Sequence, residues 1–363
     1  VRPGSAIGLL YHSKVGRRFL PCLAAVVVAC LTASPLDADT ASDRLDRFRA
    51  LAATRLSLAE LVDADRAMQA YRDIYALLDD EVVDGLASGG VFAAPAFLQD
   101  RLDGFAEAWG GASLRLHRVG RLTIGAFQLG EGPGGSTVRV YGAQGGESRL
   151  MAAYQRQGRP TLYPLAEPNG RAAALIVWEG RPTGWGTRAL RVDLVRQRGD
   201  DVAVVWSTAD AFPEGLMARY WRVRGAEVRV RYELHYPGWI PGCESQMEQE
   251  DVFRPGPDAD RFVRSGLRQH NAWHRTLHQA VGRLVDAVAA GDSVRLAALV
   301  PNARLREQLP PQLERAAACD APDGPEPVTV SVAATGPEHG PWTLTFRRSG
   351  GQWRLTAATP VLE

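Results

Sequence analysis

Glu227-Val228-Arg229-Val230-Arg231-Tyr232-Glu233-Leu234-His235-Tyr236 sets the reading of the middle of the chain. Val228, Val230, Tyr232, Leu234 and Tyr236 alternate with charged or imidazole side chains, which is period two with one wet face. Leu190, Val192 and Leu194 repeat the pattern upstream. Turn residues punctuate the region at Gly130 to Gly135, Gly145-Gly146, Asn169-Gly170, Gly199-Asp200 and Gly225. Strands at this spacing predict an antiparallel, sandwich- or barrel-like domain over residues 111–254. The absence of a clean repeat disfavours a propeller.

The flanks read differently. Residues 42–110 are helical in pattern. Ser42 and Asp43 can cap a first helix, and Ser57 with Glu60 forms a capping-box signature for a second. Leu58, Leu61, Val62, Met68, Tyr71, Ile74, Tyr75, Leu78 and Val82 make its apolar stripe. A third helix is expected at about 95–109. These helices read as a bundle or as a cap on the next domain. Residues 255–265, rich in Pro, Gly and Asp, read as a linker.

After the linker a helix is expected at about 266–290, carrying Leu277, Val281, Leu284, Val285 and Val288 on one face. Short helices follow at 293–299 and 302–318. Strands come next at 328–334, 342–348 and 353–358, with Ser349-Gly350-Gly351 as a hairpin turn. On the stretch from Val285 to Asp292 and the Trp-bearing hairpin from Trp342 to Val361, residues 266–363 resemble NTF2-like α+β domains. That family includes enzymes and non-catalytic envelope domains, so the resemblance implies a shape and no activity. The expected fold class is therefore α+β and multi-domain.

The first thirty residues hold Arg2, Lys14, Arg17 and Arg18 and no acid, and Phe19 to Ala29 is an apolar stretch of signal-peptide length. Val27-Val28-Ala29-Cys30 resembles the lipobox of bacterial lipoproteins. The resemblance implies cleavage before Cys30 and lipid attachment at its thiol. An ordinary signal peptide cut near Ala33, or between Ala38 and Ala41, is the alternative. Residues 31–41 read as a flexible tether. The expected location is the cell envelope, with the membrane as a partner through the lipid.

Beyond residue 30 the chain holds 38 basic and 41 acidic residues, a net of −3, which supplies no reason to expect nucleic acid as a partner. Lys14 is the only lysine. Without lysine, Schiff-base chemistry, a Walker-A phosphate site and a Ser-x-x-Lys nucleophile are excluded. Gly-x-Ser-x-Gly and His-Glu-x-x-His do not occur. No cofactor is expected.

The candidate binding residues are Trp178 and Trp185, bracketing Glu179-Gly180-Arg181-Pro182-Thr183-Gly184, which reads as a loop presenting two aromatics to a sugar face. An aromatic clasp over the sheet edge is the plainer alternative. Cys243 and Cys319 remain once the leader is gone, and two thiols in an oxidising compartment can pair. The other reading leaves them as small apolar side chains. His270, His274 and His278 recur every four residues on the expected helix. A metal is not expected, and His270 with His274 is the pair at metal-binding spacing. Glu244, Glu248 and Glu250 share a face if 243–253 is a strand. These features predict an exported protein that binds or scaffolds, with envelope proteins or glycans as partners. A glycan hydrolase using carboxylates of the β-rich domain is the alternative.

Overall fold

A computed structural model describes residues 38–54, 64–166, 171–244, 246–257, 261–337 and 340–361. The leader and Cys30 lie outside the described residues. Among the described residues, three helices precede the first sheet: α1 (Ala38–Ala52), α2 (Ala64–Ser88) and α3 (Pro95–Trp109). The last four residues of the expected tether, 38–41, are thus already helical.

These helices cap a sheet rather than forming a separate bundle. The sheet is an antiparallel meander of β1 (Ser113–Val119), β2 (Leu122–Gln128), β3 (Ser136–Gln144) and β4 (Glu147–Gln155). Phe48, Tyr75, Leu78, Leu102, Phe105 and Trp109 from the helices pack on Leu114, Phe127, Leu129 and Tyr141 from the sheet side. Polar groups seal the contact. Tyr75 donates to the Gly135 carbonyl at 2.8 Å, and Trp109 Nε1 donates to the Leu129 carbonyl at 2.6 Å. Arg139 makes a two-pronged pair with Asp79, which also accepts from the Tyr141 hydroxyl. Gly125 leaves room for the ring of Phe127, against which any side chain at 125 would collide.

The opposite face of that sheet packs on a second sheet, so of the sandwich and barrel forms expected from the alternation the sandwich is the one present. Ile124, Val138 and Val140 meet Ala174, Ile176, Trp178 and Val195. The second sheet runs β12-β11-β10-β9-β7-β6-β5, with β8 also paired to β7. Its strands are β5 (Arg159–Leu165), β6 (Ala173–Pro182), β7 (Arg188–Arg198), β8 (Asp201–Ser207), β9 (Leu216–Arg224), β10 (Glu227–Glu233), β11 (Glu248–Pro255) and β12 (Phe262–His270). β7 carries two partners in succession: β9 along Arg188–Leu190 and β8 along Asp193–Arg198. The sheet therefore branches and rolls, and Trp206 of β8 stacks on Phe262 of β12 at 5.1 Å. A further core lies inside the roll, with Val192, Leu194, Val228, Val230 and Phe253.

The expected linker at 255–265 instead overlaps the ends of two paired antiparallel strands. β11 runs to Pro255, and β12 returns alongside it from Phe262. Phe262 is buried, and that apolar anchor outweighs the turn-forming residues before it. The helix expected from 266 starts only at Ala272, because 262–270 is strand and Asn271 turns the chain through a left-handed conformation (φ 53°).

The last part of the chain places α4 (Ala272–Ala290), α5 (Ser293–Leu299) and α6 (Ala303–Gln308) against a five-stranded antiparallel sheet. Its strands are β13 (Glu314–Arg315), β14 (Ala321–Pro322), β15 (Thr329–Thr335), β16 (Pro341–Ser349) and β17 (Gln352–Pro360). Leu277, Val281 and Leu284 of α4 bury against Val332, Leu344, Phe346 and Leu355. The helix expected over 302–318 stops at Gln308, since Pro310 and Pro311 cannot continue it.

Candidate functional site

The densest polar cluster lies where this C-terminal part meets the rolled sheet. His274 and His278 occupy the first two turns of α4, four residues apart and on one buried face. Asp320 comes from the connection between β13 and β14. Tyr236 and Gly238 come from the loop joining β10 to β11. Cys243 in that loop is disulfide-bonded to Cys319, the neighbour of Asp320, with Cα atoms 5.4 Å apart. The Gln246 side chain closes the loop by bonding the Ile240 N–H at 2.9 Å and the Ile240 and Cys243 carbonyls.

One carboxylate oxygen organises the cluster. Asp320 Oδ2 stands 3.0 Å from His274 Nε2 and 2.5 Å from His278 Nε2, with all three side chains almost fully buried. Each imidazole therefore donates from Nε2, which leaves His274 Nδ1 to accept from the Tyr236 hydroxyl. Arg315 Nη2 lies 3.8 Å from Asp320 Oδ1, and Arg315 Nη1 donates to the Gly238 carbonyl at 2.5 Å. Burial pushes the Asp320 carboxyl up, but the bonds from His274 and His278 outweigh it and hold it well below the usual carboxylate range. Burial lowers His278 below its ordinary value, against the pull of Asp320. Burial also raises the Tyr236 phenol, and lowers Arg315.

This arrangement is a charge-balanced joint. It sets one carboxylate beside one guanidinium and directs both imidazole Nε2 atoms at that carboxylate. His278 Nδ1 has no hydrogen-bond partner among the described residues, because Gly238 is packed against it and any side chain at 238 would collide with it and with Arg315. His274, His278 and Asp320 offer donor atoms within 4.8 Å of one another, the residue types of a three-ligand divalent-metal site. Both imidazole N–H groups are already directed at a single carboxylate oxygen, and a guanidinium stands beside it. That scheme leaves Asp320 Oδ1 and Arg315 Nε, like His278 Nδ1, without a hydrogen-bond partner among the described residues. Next to the joint, Pro237, Gly238, Ile240, His278, Val281 and Val285 line an open depression of about 420 Å³.

The residues singled out from the sequence fall in several places. The metal-spaced pair His270 and His274 is separated: His270 ends β12 while His274 begins the helix after the turn at Asn271. The histidines that face each other are His274 and His278, with ring centroids 4.5 Å apart. Trp178 is not on a loop. It is 1% exposed in β6, within the sandwich core, and donates from Nε1 to the buried carboxylate of Asp193 at 3.1 Å. Trp185 is 59% exposed on the β6–β7 turn. The two tryptophans therefore do not form a common binding surface.

Of the three glutamates, Glu244 sits in a turn, because β11 begins only at Glu248. Glu248 is tied to Arg219 and Arg231, and Glu250 lies 3.5 Å from Arg229. They and the tryptophans do not line one pocket. Asp320 was missed by sequence reasoning. Its only signals were its position next to Cys319 and the presence of two histidines four apart on a distant helix.

No protein-family model matches the chain, and no curated protein matches it. Solved structures that align with it include a protein from Lactobacillus plantarum, at 10% identity and TM-score 0.18, covering 68% of this chain and 69% of that one. A putative 6-phosphogluconolactonase from Bacteroides uniformis aligns at 12% identity and TM-score 0.17, over 68% and 70% of the two chains. Another from Bacteroides fragilis aligns at 10% identity and TM-score 0.16, again over 68% and 70%. At these scores the likeness carries no argument about fold or function.

Proposed function

We propose that this is an exported protein of the bacterial cell envelope, lipid-anchored at Cys30, that acts by binding or scaffolding and ends in an NTF2-like domain. The observation that carries the reading is the bond between Cys243 and Cys319. Disulfides persist in oxidising compartments and are rare in the cytosol of ordinary bacteria. The bond also clamps the rolled sheet to the C-terminal part beside a buried, charge-balanced joint, which suits a rigid platform. The long helix, two short helices and antiparallel sheet of residues 272–361 are compatible with an NTF2-like shape. Among the described residues no helix is long and apolar enough to cross a membrane, so attachment in this reading rests on the lipid.

Fractionation of cells expressing the native chain tests the proposal. The protein should sediment with membranes, and its two remaining thiols should react with maleimide only after reduction. Recovery in the cytosol with freely reactive thiols would overturn it. For the scaffolding part, cross-linked pull-downs from native membranes should return the same envelope partners repeatedly; recovery of none would count against it.

A further inference from the structure

The outer face of β9 to β12 carries an arrangement that the fold itself does not reward. Arg219, Arg222, Arg224, Arg229, Arg231, Arg254 and Arg268 share it with only Glu227, Glu233, Glu248 and Glu250. Beyond residue 30 the chain as a whole is net negative, so positive charge is gathered locally on this face.

The register sharpens the point. Arg222 lies directly opposite Arg229, a like-charge pair that destabilises a sheet. Arg229 is held by Glu227 and Glu250, and Arg254 by Glu227. Arg222, Arg224 and Arg268 are exposed and make no ion pair among the described residues, although Arg224 lies opposite Glu227 and Arg268 opposite Glu250 in register. Tyr220, Arg222, Arg224, Glu227, Arg229 and Glu250 line a shallow depression of about 300 Å³. Tyr220 and Met217 stand exposed on the same face, at 48% and 45%.

We propose that this face docks on an anionic lipid surface. Arg222, Arg224 and Arg268 would take headgroup phosphates, and Tyr220 and Met217 would enter the interfacial layer. Guanidinium groups match phosphate oxygens in two-pronged pairs. Four strands at about 4.8 Å spacing span about 14 Å, so the unpaired arginines are too spread to serve one small anion. Exposed apolar and aromatic side chains beside them fit the boundary between headgroups and acyl chains. The inference deepens the envelope-binding reading and rests on it: a chain tethered at the membrane would hold this face near anionic lipid.

The test uses the mature chain, residues 30–363, carrying Cys30→Ser, so that neither leader nor acyl chain contributes. It is sedimented with vesicles of phosphatidylcholine alone or with 30% phosphatidylglycerol. The expected result is binding to the anionic vesicles only, reversed in 0.5 M NaCl. The double variant Arg222→Gln/Arg224→Gln should weaken partitioning by about tenfold or more, with thermal unfolding unchanged. The control Arg121→Gln/Arg354→Gln, on other parts of the surface, should bind as the parent does.

Equal binding to both vesicles would overturn the proposal, as would a double variant that binds normally. Thermal protection by millimolar inorganic phosphate without vesicle binding would also overturn it, and would point to an isolated phosphate site. None of these outcomes touches the anchor at Cys30, which is read on the native chain.

Discussion

Two polar clusters lie on either side of the turn at Asn271, and they are built on opposite principles. The joint at Asp320 is enclosed: its carboxylate and two imidazoles are nearly buried, and it faces a partly buried guanidinium. The arginine face across β9 to β12 is open, and it sets Arg222 opposite Arg229 while Arg222, Arg224 and Arg268 make no ion pair among the described residues. A buried cluster whose charged groups face one another serves to hold structure, even with His278 Nδ1, Arg315 Nε and Asp320 Oδ1 left without a hydrogen bond. A cluster left unsatisfied at the surface is there to meet something else. Loss of a group should therefore be costly in stability at the joint and nearly free on the face.

The largest effect is expected from Asp320→Ala. It leaves two imidazole N–H groups and a half-buried guanidinium without their carboxylate, and urea unfolding should show a loss of about 3–5 kcal/mol. An effect below 1 kcal/mol would erase the contrast. Next comes removal of the clamp. Cys243→Ser/Cys319→Ser opens a loop of 76 residues and should cost about 2–4 kcal/mol, with reduction of the parent giving the same loss.

Acid should dissect the joint in two stages. His278 is held below its ordinary value, so the unfolded chain takes up its proton first, and stability should begin to fall below about pH 6.5. Asp320 is depressed, so its contribution is complete above about pH 4 and is lost as the pH falls through its lower folded value. Urea midpoints between pH 8 and pH 3 check this, and His278→Gln should flatten the first stage. The smallest effect belongs to the face: Arg222→Gln should change stability by no more than about 0.5 kcal/mol, toward stabilisation as the repulsion with Arg229 is relieved.

The same contrast explains what could be read from the residues alone. The period-two alternation of Val228 to Tyr232 marked a strand with one wet face, and the structure gives β10 that form. Trp178 was misplaced because Gly180, Pro182 and Gly184 carry turn signals. The preceding run, Ala173 to Val177, is buried on both faces and does not alternate, so nothing in the pattern says where β6 ends. Pro255, Gly256 and Pro257 hid the β11–β12 pairing for a similar reason. Asp320 was illegible because its partners lie 42 and 46 residues away on another element. Only the fold brings them together, and only the neighbouring Cys319 hinted at an anchored loop. The arginine face was visible as residues but not as a face, since opposition of Arg222 and Arg229 depends on register.

The claim beneath both clusters is that the protein works outside the cytoplasm, tethered and locked. Intact-mass analysis of the protein extracted from native membranes tests it most directly. The account predicts a mature chain beginning at Cys30, heavier by its acyl groups and carrying the Cys243–Cys319 bond. An unmodified N-terminus downstream of Cys30, or two free thiols at Cys243 and Cys319, would contradict it.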